Sequence, residues 1–359
     1  MSDTPYPELK RSHTAARTGR PFLDRKPPPA APVWAAIEGY GRYHVLVAAL
    51  ELGVFDALAT AGPSTGEELA HRLALSPPHL TTLLEGLVAQ GLLDRQGGRF
   101  ELNDTARRYL TTDGAASMSG LVPVAPGPLG NWAGLADTVR HGRPATPVDD
   151  DPAAFYLPLV EGTFATIHRA AQRADGFLRY SAATDLRVLE LGAGGAPWSV
   201  AVLAAVEGAT AVVNDLPGVV TVAARKLAEH GLTHRAELRP GDYHRIGIEP
   251  AHYDLAVLGH VCRAEGETGA RALIGRAHQA LRPGGRLVLS DYFCDHERSQ
   301  RGHALLMGVT MMASTLRGGT FRYGDVAGWL RDAGFEAIRL IEPIGFQEAF
   351  VATKRGEAG

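Results

Sequence analysis

From Val33 the apolar residues recur every three or four positions. Val33-Trp34, Ile37, Tyr40, His44-Val45, Ala48-Ala49 and Leu52 share one face, which predicts a helix. Gly53 ends it, and Val54-Phe55 with Leu58 open another. Ser64-Thr65-Gly66-Glu67 reads as a capping box that starts a short helix reaching Leu73. Ser76-Pro77 is a second start, a cap followed by proline at the first helical position. Leu80, Leu83-Leu84 and Leu87-Val88 form the buried face of that helix. Residues 91–95 and 99–102 flank Gln96-Gly97-Gly98 and predict a β-hairpin. Helix, helix, hairpin is a winged helix. Residues 129–180 read as helical around a loop at 142–147. Asp149-Asp150-Asp151 makes a solvated helix start with Pro152 in the first turn. The helix carrying Phe164, Ile167, Ala170 and Ala171 joins the two halves of the chain.

At Leu186 the period changes. Short apolar runs at 186–191, 209–214, 236–240, 253–259 and 286–290 alternate with helical stretches. That rhythm predicts an α/β fold, a Rossmann-like, doubly wound and mostly parallel sheet covered on both faces. Residues 335–342 and 347–354 add two strands joined by Pro343-Ile344-Gly345. The second is expected to run antiparallel at the sheet edge.

Bulk properties narrow the picture. A length of 359 residues exceeds one compact domain. The expected division is an arm-like or disordered N-terminus (1–31), rich in proline and polar residues, and a winged-helix dimerisation domain (32–115). A helical connector that contributes to the substrate pocket (116–180) and a Rossmann-like catalytic domain (181–359) follow. With 45% hydrophobic and 21% charged residues the composition is that of an ordinary globular protein. A winged helix suggests DNA first, as in a regulator. The would-be recognition helix, residues 76–90, contains no Lys or Arg, and phosphate contacts need cations. A net charge of −3 adds no attraction for a polyanion, so no nucleic-acid partner is expected. Cys262 and Cys294 make neither a disulfide framework nor a zinc site. No apolar run suits a signal core or a bilayer span, so a cytoplasmic protein without a membrane partner is expected.

Ligands of such sheets bind beyond the carboxyl ends of the strands. The first strand ends in Glu190 and a turn with Gly192, Gly194 and Gly195, where a backbone can approach a ligand closely. The second ends in Asn214-Asp215-Leu216. Gly192 and Asp215 stand 23 positions apart, near the spacing of the dinucleotide fingerprint, so Asp215 is the candidate acceptor for ribose hydroxyls. Its plain alternative is a cap for the helix that begins at Leu216-Pro217. After the third strand, Asp242 can accept from an adenine amino group and Tyr243 can stack on the base. The fourth strand ends in Gly259-His260-Val261-Cys262-Arg263 and the fifth in Asp291-Tyr292-Phe293.

The chain resembles the class I S-adenosylmethionine-dependent methyltransferases. More narrowly, it resembles the plant-type and bacterial O-methyltransferase family with an N-terminal winged-helix dimerisation domain. The matching stretches are Glu51-Leu52-Gly53-Val54-Phe55-Asp56, Leu189-Glu190-Leu191-Gly192-Ala193-Gly194-Gly195, Asp215-Leu216-Pro217, Gly241-Asp242-Tyr243, Leu281-Arg282-Pro283-Gly284-Gly285 and Gly318-Gly319. The resemblance covers nearly everything after residue 33. It implies S-adenosyl-L-methionine as cofactor and a small-molecule acceptor, most naturally a specialised metabolite. It also implies a homodimer in which one subunit's N-terminal domain closes the other's acceptor pocket. By the same resemblance Gly192 and Gly194 hug the methionine part, Asp215 binds ribose, and Asp242 with Tyr243 binds the adenine side. Two positions depart from the pattern. The third glycine of the family's loop is Ala196, where one methyl should be tolerable because that position governs packing.

The second departure concerns chemistry. The family usually has His-Asp-Trp where this chain has Arg263-Ala264-Glu265, and that His is its general base. A guanidinium stays protonated and cannot serve. Three readings follow. Another group acts as base, with His260, His244, Tyr292 and His303 within the expected region. Or no base is needed, and Arg263 holds an acidic or keto acceptor by paired hydrogen bonds, which extends the outcome to C- or N-methylation. Or the bound cofactor assists a reaction that transfers no methyl. The plain alternative for Arg263 is a surface salt bridge with Glu265 or Glu267. The helix around 302–316 places His303, Met307, Thr310, Met311 and Ser314 at helical spacing. Tyr292, Met307 and Met311 are the candidate pocket walls, against a plain core helix. His244, His260 and His303 lack diagnostic metal-ligand spacing, and no metal is expected.

Overall fold

The computed structural model describes residues 30–125, 127, 129–295, 297, 302–344 and 347–356. The expected N-terminal arm lies outside the described residues as far as residue 29, and so does Gly345 of the late turn.

The N-terminal part begins with helices α1 (Ala31–Glu51), α2 (Val54–Ala61), α3 (Gly66–Leu73) and α4 (Pro77–Ala89). Strands β1 (Asp94–Gln96) and β2 (Arg99–Glu101) pair antiparallel as the wing, and α5 (Asp104–Tyr109) follows. Phe55, Leu58, Leu69, Leu84, Leu87, Leu93 and Phe100 form its core. The capping box is shifted by one residue from the expected register. Thr65 caps α3, its hydroxyl accepting from the Glu68 amide and Glu68 accepting from the Thr65 amide. Ser64 is not free to cap, because its backbone bridges to Phe100 of the wing.

The connector contains α6 (Leu129–Ala133), α7 (Leu135–His141) and the long α8 (Pro152–Leu178). Asp151 caps α8 by accepting from the Ala154 amide at 3.1 Å, with Pro152 behind it, as the acidic run predicts. Next come β3 (Arg187–Leu191), α9 (Pro197–Ala205), β4 (Thr210–Asp215), α10 (Val220–Glu229), β5 (Ala236–Pro240) and β6 (Tyr253–Gly259). The chain continues through α11 (Cys262–Ala280), β7 (Leu281–Asp291), β8 (Phe293–Cys294), α12 (Gly302–Ser314) and β9 (Phe321–Arg322). It closes with α13 (Tyr323–Asp332), β10 (Phe335–Ile344) and β11 (Gln347–Lys354). Among the described residues no single helix is long and apolar enough to cross a membrane.

The main sheet runs β10-β11-β7-β6-β3-β4-β5, with β7, β6, β3, β4 and β5 mutually parallel. Val188, Leu189 and Leu191 of β3 are buried because the sheet is covered on both faces. β7 starts earlier than the sequence suggests, and its register against β6 shifts around Pro283-Gly284-Gly285. β11 is antiparallel as expected but is not the edge; it lies between β7 and β10. Its Glu348, Ala349, Phe350 and Ala352 are buried, whereas β10 exposes Glu336, Arg339 and Leu340 and suits the edge.

Candidate functional site

After β3 the chain moves to β4 and β5, then returns to place β6 on the other side of β3. The crevice at such a switch point is where an open parallel sheet takes its ligand. Here the turn after β3 meets the turn after β6. A Cβ on Gly192 would stand 2.9 Å from the Val261 side chain, and one on Gly194 2.9 Å from Val160 of α8. Gly194 also has φ +57°, which an L side chain adopts only at a cost. Ala196 occupies the place of the third glycine. Its methyl is fully buried, so packing accepts it, but its φ of +58° is left-handed too. Above the loop lies a cavity of about 530 Å³.

Glu190, Gly192, Gly194, Asp215, Leu216, Asp242, Tyr243, His260 and Arg263 all line this one cavity, as their positions in the sequence predict. Asp215 Oδ2 accepts from the Gly194 amide at 2.6 Å and Oδ1 from the Leu216 amide at 2.7 Å. Burial raises its pKa, and the two amides oppose that rise. Glu190 is fully buried and accepts from the amide (2.8 Å) and hydroxyl (2.5 Å) of Ser199, fastening α9 to the end of β3. Burial pushes its carboxyl up to about 7 despite those bonds. At the far side, Glu265 accepts from the Tyr243 hydroxyl and meets His244 Nε2 at 2.8 Å. One carboxylate thus ties the loop after β5 to the start of α11.

Arg263 is not a surface residue paired with Glu265 or Glu267. Asp291, buried at the end of β7, accepts from the Arg263 amide at 2.9 Å and from Nη1 at 3.3 Å. The Arg263 carbonyl accepts from the Gly319 amide at 2.8 Å. A Cβ on Gly318 would strike that carbonyl at 2.7 Å, which accounts for the late glycine pair. Burial opposes the guanidinium's charge, but Asp291 outweighs it and the pKa is raised. Burial would likewise raise Asp291, yet the charge and the amide of Arg263 help hold it below its ordinary value. The site therefore carries a fixed ion pair.

His260 has a left-handed backbone (φ +61°), and its Nδ1 stands 3.9 Å from Asp291 Oδ1. Burial lowers its pKa, so the imidazole is neutral near pH 7. Both ring nitrogens are sealed from solvent and lack a hydrogen-bond partner among the described residues. Tyr292 packs its ring 5.4 Å from His260, 5.3 Å from His303 and beneath the Arg263 guanidinium. Tyr292, His303, Met307 and Met311 are not on the cavity wall. The reason is that α12 packs against α6, α7 and β8, which buries Met311 there. The sequence predicts a pocket contribution from the connector but does not single out the residues of α8 that supply it. Tyr156, Leu159, Val160, Thr163, Phe164 and Ile167 all face the cavity, and their helical spacing was the available signal.

The cradle fits a nucleoside bearing a short charged chain: a loop of glycines and alanines, a buried carboxylate at the spacing of the dinucleotide fingerprint, and an acid and an aromatic beyond it. The fold and site define a class I methyltransferase. Residues 34–112 match the O-methyltransferase dimerisation domain and residues 167–336 the O-methyltransferase domain. The chain belongs to this family and is an S-adenosylmethionine-dependent methyltransferase. It is 30% identical over 302 residues to the N,N-dimethyltransferase OxyT of Streptomyces rimosus, covering 77% of this chain and 84% of that one. It is 28% identical over 322 residues to a 3-hydroxy-5-methyl-1-naphthoate 3-O-methyltransferase of Streptomyces sahachiroi, covering 84% and 88%. Human N-acetylserotonin methyltransferase, solved in complex with SAM, shares the fold at a TM-score of 0.79 and 22% identity, over 92% of this chain and 99% of that one.

Proposed function

We propose that this methyltransferase alkylates an acidic small-molecule acceptor of specialised metabolism and does so without a protein base at position 263. The observation that carries this is the mounting of Arg263. Its amide, carbonyl and one guanidinium nitrogen are each held, and Nε and Nη2 remain free to meet a ligand in the cavity. When bound, S-adenosylmethionine supplies an electrophilic methyl group on a sulfonium and leaves as S-adenosylhomocysteine. Arg263 orients the acceptor oxyanion by charge-assisted hydrogen bonds, so the acceptor arrives already ionised. Asp291 keeps the guanidinium in place. His260 stays neutral beside it, but its sealed nitrogens do not reach an acceptor. Asp215 takes the ribose hydroxyls, Asp242 and Tyr243 the adenine, and Glu190 the support of the loop. Residues 32–115 form the dimerisation unit of a homodimer. Val33, Trp34, Ile37 and Tyr40 on α1 are each at least 59% exposed, an apolar stripe suited to a second copy.

The test is an incubation with S-adenosylmethionine and a panel of aromatic acids, phenols and amines, following S-adenosylhomocysteine release and product mass together. Equal release of both from an acidic acceptor is expected. Turnover of an acceptor without release of S-adenosylhomocysteine would replace methyl transfer with a cofactor-assisted reaction. Light scattering of the eluted protein should give twice the chain mass.

A further inference from the structure

A second donor faces the acceptor end of the cavity, on a helix that carries no motif. Tyr156 lies on α8 one turn before Val160, and both it and Arg263 line the cavity. The Tyr156 ring is fixed edge-on against Phe155, with centroids 5.1 Å apart. Among the described residues its hydroxyl has no hydrogen-bond partner, yet the oxygen is not sealed, so it opens onto the cavity. Burial raises the phenol's pKa, and the charge of Arg263, on the same cavity wall, opposes that rise. The phenol stays protonated and acts as a donor. Arg263 spends Nη1 on Asp291 and keeps Nε and Nη2.

Other charged groups around Tyr156 are already engaged. Asp149 accepts from the Leu316 amide, Asp215 from two amides, and Glu265 from Tyr243. Pro152, Leu159 and Leu316 add apolar lining, and Thr315 and Arg317 flank Leu316 on the same wall. A single neutral hydroxyl can accept from both donors, but it brings no negative charge to Arg263. A negative charge spread over two oxygens satisfies both. We propose that Tyr156 and Arg263 form a two-donor clamp that selects acceptors presenting an oxyanion shared by two oxygens, a carboxylate or the enolate of a 1,3-dicarbonyl. This rests on the reading that Arg263 faces the acceptor.

Calorimetry on the full chain loaded with S-adenosylhomocysteine tests it, with 1-naphthoate, the enolate of 2-acetyl-1,3-cyclohexanedione and neutral 1-naphthylmethanol as probes. At least one anion should bind about 30-fold more tightly than the alcohol, and which one does identifies the source of the oxyanion. Tyr156→Phe keeps the ring on Phe155 and should erase about 10-fold of that preference while S-adenosylhomocysteine affinity changes less than about twofold. Arg263→Lys keeps a charge opposite Asp291 and should also lower the preference, because the planar fork is lost. An unchanged preference in Tyr156→Phe, or a loss of cofactor affinity in its place, overturns the clamp while leaving Arg263's role standing. An unchanged preference in Arg263→Lys overturns both the clamp and the base-free reading beneath it.

Discussion

At one end of the cavity, Gly192, Gly194 and Asp215 sit on the ends of adjacent parallel strands, joined by the 2.6 Å bond from the Gly194 amide to Asp215. At the other end, Arg263 is held by Asp291 from β7 and by Gly319 from the segment after α12, and Tyr156 of α8 lines the same cavity. The first end uses backbone: tight turns, amides and one carboxylate within a single sheet register. The second is assembled from groups on separate segments between residues 156 and 319. Cofactor recognition is thus tied to the sheet itself. The proposed acceptor end is mounted on other segments of the chain.

Substitutions at the two ends should separate cleanly. Asp215→Ala removes the acceptor of two amides and the expected partner of the ribose, and should weaken S-adenosylhomocysteine about 1000-fold in calorimetry. Near-normal affinity would sink the assignment of the cofactor end. Arg263→Lys should lower kcat/KM about 30-fold with cofactor affinity intact, measured by S-adenosylhomocysteine release. A matching loss of cofactor affinity would mean that the two ends are not independent. Gly194→Ala puts a methyl 2.9 Å from Val160 at a left-handed φ and should cost roughly 10-fold in cofactor affinity, with KM for the acceptor unmoved.

The smallest effect is one of pH. Burial raises the Glu190 carboxyl from 4.5 to about 7, so between those values the folded protein holds a proton that the unfolded chain has released. This group's contribution to stability is fully present below pH 4.5 and is lost as pH rises to about 7. Glu190→Gln keeps the hydrogen-bonding shape without the titration. Its melting temperature relative to the native protein should climb by roughly 5 °C between pH 5 and pH 8. Parallel melting curves across that range would contradict the assignment.

The parallel strands and the glycine loop were legible in the sequence because each is a local signal. A run of buried residues makes β3, and Gly192, Gly194 and Asp215 mark the ends of β3 and β4. The proposal that Arg263 stands where relatives carry their base rests on its distance to Pro283-Gly284-Gly285 in the sequence. What surrounds Arg263 was not legible there. Asp291 appeared only as a strand end, and nothing local shows that its carboxylate turns back to hold the Arg263 amide and guanidinium. Tyr156 sat in a helix read as a connector, since one face of a helix can bury against protein or against a ligand. The position of β11 inside the sheet was missed because the last strand in sequence need not be last in space; its buried Ala349, Phe350 and Ala352 were the cue.

The pairing of Arg263 with Asp291 also constrains how this chain can change. Asp291 is almost fully buried and held ionised, so its charge needs a cation within reach. A neutral imidazole at position 263 would strand that charge, at about 3–5 kcal/mol by the usual cost of breaking a buried pair. Placing a neutral base at position 263 would therefore require Asp291 to change together with Arg263. Either step alone leaves one member of the buried pair without its partner.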